Sequence, residues 1–158
     1  MDGSVCSFSG HRMINISHSK TLSACLSEVI DDLISSGINR FCSGGALGFD
    51  ILAAELVLKK RDEGADISLS MILPCRDQAS RWSASARRTY ESILARADEV
   101  IYIADTYNQF CMHLRNRRLV TECDILLCYL TRQASGTAYT KNFAEDMDKK
   151  IINIADLL

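Results

Sequence analysis

Proline is almost missing from this chain and glycine is sparse: one Pro and eight Gly in 158 residues. So few breakers exclude collagen-like, disordered and repeat-turn β architectures and leave room for long helices. An excess of either charge is also lacking, since 18 Lys and Arg face 20 Asp and Glu for a net charge of -2. A protein held on nucleic acid mainly by charge would show a basic surplus, so nucleic acid is not expected as a partner. The seven cysteines, at 6, 25, 42, 75, 111, 123 and 128, contain no CxxC pair, and no secretory leader precedes them. They read as free thiols, mostly buried in apolar runs, and a reducing, cytoplasmic location is expected. No apolar run approaches the roughly 20 residues that span a bilayer, so no membrane association is expected.

Apolar residues make up 47% of the chain, enough for one sizeable core and a single domain over residues 1–158. Short apolar runs read as buried strands: Ser4 to Ser9, Arg40 to Ser43, Ile67 to Leu73, Glu99 to Ala104, Ile125 to Leu130 and Lys150 to Ile154. Between them the apolar spacing turns helical. Leu22, Leu26, Val29 and Leu33 form one stripe within Lys20 to Ser36, and Leu47, Ile51, Ala54 and Leu58 another within Leu47 to Gly64. Ala86, Tyr90, Ile93 and Ala97 mark a third helix near Ser80 to Ala97, with two more near Phe110 to Glu122 and Thr137 to Asp148. Strand and helix alternate throughout, which predicts an α/β fold: a Rossmann-like, doubly wound, mostly parallel sheet with helices on both faces and right-handed crossovers. Ligands of such sheets bind outside the carboxyl ends of the strands, so function is sought there.

After the first strand stand Gly10, His11 and Arg12, a tight turn followed by a titratable ring and a fixed cation suited to phosphate or carboxylate; a solvated turn is the alternative. After the second come Ser43, Gly44, Gly45 and Gly48, where glycines would let backbone N–H groups approach an anion at a helix start. The spacing matches neither the dinucleotide fingerprint nor a Walker loop. Asp50 follows, placed either to complement the helix dipole or to accept from ribose hydroxyls. After the third strand, Gln78 and Trp82 read either as an edge-and-face pair for a ring or as packing. Arg115 and Asn116 are expected to face a site, with Arg117 and Arg118 on the solvated side of the same helix. Gly136 and Thr137 open the last helix as an anion site or an ordinary cap. Cys111, His113 and Cys123 lack the spacing of a closed zinc site, and Ser43 has no placed base, so neither a metal nor a catalytic nucleophile is assigned.

Taken in order, Phe8 to Arg12, Ser43 to Gly48 with Asp50, Pro74-Cys75 with Gln78-Ala79 and Trp82, Cys111 to His113 with Arg115-Asn116, Asp124, and Gly136-Thr137 resemble the YpsA-like branch of the SLOG superfamily. That Rossmann-like group includes the LOG phosphoribohydrolases and the DNA-processing protein DprA. The resemblance implies that the glycine loop and the Gly136-Thr137 start hold a nucleotide or nucleotide-derived ligand of the ADP-ribose type, with no resident cofactor, and it suggests a homodimer. Met13 and Ser135 depart from the family pattern, which places Pro and Gly at those positions. LOG enzymes carry a glutamate just after their Gly-Thr start, where this chain has Ala138, Tyr139 and Thr140, with Glu145 about two turns on. Binding or sensing is therefore the expected function, N-glycosidic hydrolysis of nucleoside monophosphates the alternative, and a DprA-like single-strand module the third.

Overall fold

A computed structural model describes residues 4–158. Strands β1 (Ser4–Gly10), β2 (Ile38–Ser43), β3 (Ser68–Cys75), β4 (Glu99–Ala104), β5 (Ile125–Tyr129) and β6 (Lys150–Asn153) form one sheet in the order β4-β3-β2-β1-β5-β6. Every pairing is parallel. The helices are α1 (Leu22–Ser35), α2 (Phe49–Asp62), α3 (Ala84–Arg96), α4 (Cys111–Glu122) and α5 (Gly136–Asp146). The Rossmann-like α/β fold read from the sequence is the fold observed.

Alternation along the strands builds two cores. Cys6, Phe8, Phe41, Leu69, Met71, Leu73, Leu127 and Tyr129 point to one face and pack with α1, α2 and α3, while Val5, Cys42, Ile72, Leu126 and Cys128 point to the other and pack with α4 and α5. Both faces of a parallel sheet are thus covered, which explains why the strands read as continuous apolar runs. In α1 the buried row is Leu22, Leu26, Ile30 and Leu33, with Val29 only half-buried beside it. Helix α2 starts at Phe49 rather than Leu47, because Gly48 takes φ +85° and ends the loop there. All seven thiols are free, six of them buried and Cys25 half-exposed. Among the described residues no helix is long and apolar enough to cross a membrane.

What positions the site is the strand order. From β1 the chain winds outward through β2, β3 and β4, then returns to place β5 on the other side of β1. The loops after β1 and β5 therefore leave in opposite directions and open a crevice between them, the topological switch point of an open α/β sheet. Gly10 pairs with Tyr129 at the end of this seam. Tyr129 is fully buried, and its hydroxyl accepts from the Asn15 amide (3.1 Å) and shares a hydrogen bond with His18 Nδ1 (2.8 Å). One phenol thereby ties the loop after β1 down over β5.

Candidate functional site

The crevice holds a cavity of about 420 Å³, lined from β1 and its loop, from the start of α2, from α4, and from the segment joining β5 to α5. Its size falls within the roughly 300–1,000 Å³ of small-molecule sites. Of the residues expected from sequence, Gly10, His11, Arg12, Asp50, Arg115, Asn116, Gly136 and Thr137 all face this one cavity.

Gly10 is required by packing. The Phe49 ring, stacked on Tyr129 (5.9 Å) and edge-on to Phe8 (6.3 Å), occupies the space where a Cβ of residue 10 would project. His11 is buried; its Nε2 accepts from the Thr131 amide (2.9 Å), which fixes the proton on Nδ1. Burial lowers its pKa below the ordinary value and Arg132 lowers it further, so the ring is neutral near pH 7. Arg12 is exposed at the mouth of the cavity.

Arg115 lies deeper and is buried, with Nη1 donating to the Gly44 carbonyl and Nε to Asn116 Oδ1 (2.8 Å). Asp50, in the first turn of α2, is also buried, and its Oδ1 accepts from the Gly10 amide (3.2 Å). Burial pushes the Asp50 carboxyl up to about 6, against the smaller opposing pull of Arg115, the Gly10 and Ala46 amides and Arg12. Burial also lowers the Arg115 pKa, and Asp50 is the leading group opposing it. At the far wall Ser135 caps α5, its Oγ accepting from the Ala138 amide (3.1 Å), so the capping hydroxyl belongs to Ser135 and not to Thr137. Arg12, Arg115 and Arg132, the three arginines of the lining, have no ion-pair partner among the described residues; the exposed Arg81, Arg87, Arg88 and Arg117 elsewhere share that state, while Arg40, Arg61, Arg76, Arg96 and Arg118 are paired.

Ser43, Gly44, Gly45 and Gly48 stand behind this wall and do not line the cavity. Ser43 Oγ donates to the Asp50 carbonyl (3.0 Å) and accepts from the Gly45 amide (3.2 Å), shaping the turn. A Cβ at Gly44 would meet the Arg115 guanidinium, one at Gly45 would meet Leu73, and one at Gly48 would meet the backbone carbonyls of Arg12 and His11. The glycines let other elements close in. Gln78 and Trp82 also lie outside the cavity, because β3 is two strands away from the seam. Trp82 packs edge-on against Tyr90 (5.0 Å), and Gln78 Nε2 donates to the Tyr90 hydroxyl (3.2 Å). Arg117 is exposed over the Phe143 ring and Arg118 pairs with Glu122, which keeps both away from the site. Sequence reasoning did not select Ser9, Met13, Ala46, Met112, Arg132 or Ser135 as lining residues. Arg132 was legible in principle, since it stands just past a strand end. No cluster of three metal-ligating side chains occurs among the described residues.

Comparison with known proteins gives a consistent frame. The model of the YpsA family, described as the YspA SLOG family, matches residues 10–156. A UPF0398 protein of Bacillus pumilus is 35% identical over 120 residues, covering 73% of this chain and 63% of its own length. The chain spans about three fifths of the curated relatives it matches. Among solved structures, the DNA processing protein A of Helicobacter pylori, studied for its single-stranded DNA binding mode, superposes with a TM-score of 0.70 at 20% identity. That match covers 94% of this chain and 64% of that one. DprA of Streptococcus pneumoniae gives 0.68 at 14% identity, covering 94% and 49%. At these identities the likeness is one of fold.

Proposed function

The chain belongs to the YspA SLOG family, and on that footing we propose that it binds or senses a nucleotide-derived anion of the ADP-ribose type at the seam between β1 and β5. The observation that carries the reading is that three arginines, Arg12, Arg115 and Arg132, line one cavity with no ion-pair partner among the described residues, in a wall that includes the N-terminus of α5. Guanidinium forks and a helix start are both suited to phosphate oxygens. Asp50, deep in the same cavity, offers an acceptor for sugar hydroxyls.

Binding is favoured over N-glycosidic hydrolysis by the carboxylates. Among the described residues Asp50 is the single acid in the lining. At the position just past the Gly-Thr start, Thr140 is buried with Oγ1 donating to the Gly136 carbonyl (2.9 Å), while Glu145 is exposed and paired with Lys141 (3.1 Å). Among the described residues no second acid lines the cavity with Asp50 to share acid and base roles. The likeness to DprA brings single-stranded DNA back as a candidate partner, which the charge balance alone had argued against.

Titration calorimetry against ADP-ribose, nucleoside monophosphates, dinucleotides and a single-stranded oligonucleotide tests the reading. Heat is expected from the first three classes. Arg12→Ala is expected to weaken binding about ten- to a hundredfold, the equivalent of roughly 1.5 to 3 kcal/mol for a charged hydrogen bond. Arg12→Lys should recover part of it by keeping charge without the planar fork, and Arg117→Ala should match wild type. Equal affinity in Arg12→Ala and wild type overturns the anion site; salt-sensitive binding of the oligonucleotide alone moves the function to nucleic acid. Free base released from a monophosphate would make the protein a hydrolase.

A further inference from the structure

Helices α4 and α5 carry apolar side chains on the side that the sheet does not use. Toward the sheet α4 buries Cys111, Arg115, Leu119 and Val120, and α5 buries Thr137, Ala138, Thr140 and Ala144. A surface helix is ordinarily polar on the opposite side. Here that side of α4 presents Phe110, His113, Leu114 and Arg117, spaced i, i+3, i+4 and i+7, while α5 presents Tyr139 and Phe143, with Met147 just past its end. Phe110 is 60% exposed, Leu114 47%, Met147 44% and Tyr139 41%. Two contacts between the helices join the stripes into one surface: the Tyr139 hydroxyl and His113 Nε2 share a hydrogen bond (3.0 Å), and the Arg117 guanidinium lies 4.2 Å over the Phe143 ring. None of these residues lines the cavity, so the surface is independent of what the cavity holds.

Area and charge together indicate what covers it. At roughly 200 Å² for a large side chain, the four exposures amount to about 400 Å² of apolar surface. That is comparable to the largest patches of soluble monomers, which are often functional, and about half of the ~800 Å² that each partner buries in a standard interface. Aromatic residues with Met and Arg, and no Lys or Glu among them, make up the composition of an interface core. Around the apolar centre, Arg118 is paired with Glu122 and Lys141 with Glu145, which leaves one exposed cation, Arg117, and one exposed acid, Asp146, without an ion-pair partner on these helices among the described residues. A partner of strong charge would be met by a surplus of one sign, whereas a balanced, apolar face meets a copy of itself without like-charge repulsion. We infer that the α4 and α5 face is the contact between two copies of this chain, related by a two-fold axis.

Sedimentation velocity of the whole chain across a concentration series tests this. The wild type is expected to dimerise at micromolar concentration or below. Leu114→Glu sets a carboxylate in the middle of the face in both copies and is expected to weaken the dimer about a hundredfold or more. Phe110→Glu is expected to do the same from a second exposed position, where an acid at a helix start suits the fold. Ile16→Glu, at a 92% exposed residue of the loop after β1, is expected to leave the dimer unchanged. Circular dichroism checks that each variant is folded. A wild type that stays monomeric overturns the proposal, and the face then belongs to a partner of another kind. Dimers that persist in both Leu114→Glu and Phe110→Glu, or that Ile16→Glu disperses equally well, overturn it too, because the copies then meet elsewhere.

Discussion

Asp50 shows how one buried residue can couple fold, ligand and pH. Its carboxyl ionises at about 6 in the folded protein against an ordinary value of 3.8, because burial outweighs the nearby cations and amides. Between those values the folded state keeps a proton that the unfolded chain has released. The contribution of this group to stability is therefore greatest below the ordinary value, declines as pH rises through the window, and stays level above about 6. The full change is about 3 kcal/mol by the rule that one pKa unit corresponds to about 1.4 kcal/mol. Glu122 acts in the opposite sense: a hydrogen bond from Arg118, helped by Arg40, holds it below the ordinary carboxylate value, so its stabilisation is lost as pH falls through its folded value. Asp50→Asn is expected to remove only the first effect, which denaturant titrations across pH 4 to 7 would reveal as a raised stability at the upper end. The same residue should set ligand affinity. A neutral Asp50 no longer offsets the charges of Arg115 and Arg12, so ADP-ribose, whose pyrophosphate does not titrate in this range, should bind several-fold more tightly at pH 5.5 than at 7.5. His11, lowered by burial and by Arg132, also faces the cavity and gains charge only at the acid end. Asp50→Asn separates the two, because a pH dependence that survives the substitution belongs to His11.

At the scale of elements, the loop joining β2 to α2 acts as a fitted corner against the loop after β1. The Phe49 amide donates to the His11 carbonyl (3.2 Å), and Gly48, at φ +85°, lets the Arg12 carbonyl lie where a side chain would stand. Gly48→Ala meets both a strained backbone and a collision, so it is expected to destabilise by about 2 kcal/mol or more and to weaken nucleotide binding by displacing Arg12. Gly37→Ala is the comparison: φ +109° with nothing within 4 Å, so about 1 kcal/mol of backbone strain and no change in affinity are expected. Equal effects of the two on binding would show that the corner does not position Arg12. The strands and helices were legible because their patterns are local: each run of apolar residues and each helical stripe is complete within its own segment. The roles of the glycines were not, because what each one makes room for lies elsewhere in the chain: Arg115 for Gly44, Leu73 for Gly45, the β1 loop for Gly48. Their clustering announced a special loop, and only the packing says that the loop supports the wall instead of lining it. Of the two readings left open for Trp82 the structure shows the packing one, and sequence could not choose because its distance from the seam is a consequence of strand order and not of spacing.

Across the whole molecule, the cavity lies where two packing units meet. Helices α1 to α3 share one core and α4 and α5 the other, and the lining draws on both: the β1 loop and the α2 start from one side, α4 and the α5 start from the other. A ligand seated there bridges groups from both units, and it offsets three like charges that have no ion-pair partner among the described residues. Binding should therefore appear as global stability. At one hundred times its dissociation constant a ligand stabilises by about 2.7 kcal/mol, which for a chain of this length is roughly 5 to 11 °C in Tm. Sodium chloride at equal ionic strength should give no comparable shift, because it screens the arginines without occupying the cavity. Arg12→Ala, an exposed residue, is expected to melt within about 0.5 kcal/mol of wild type on its own. At the same ligand concentration its ten- to hundredfold weaker affinity leaves only about 0.4 to 1.4 kcal/mol of stabilisation. Scanning calorimetry of both proteins, with and without ADP-ribose, checks this. Equal shifts in the two would mean that whatever binds does so away from the seam between β1 and β5.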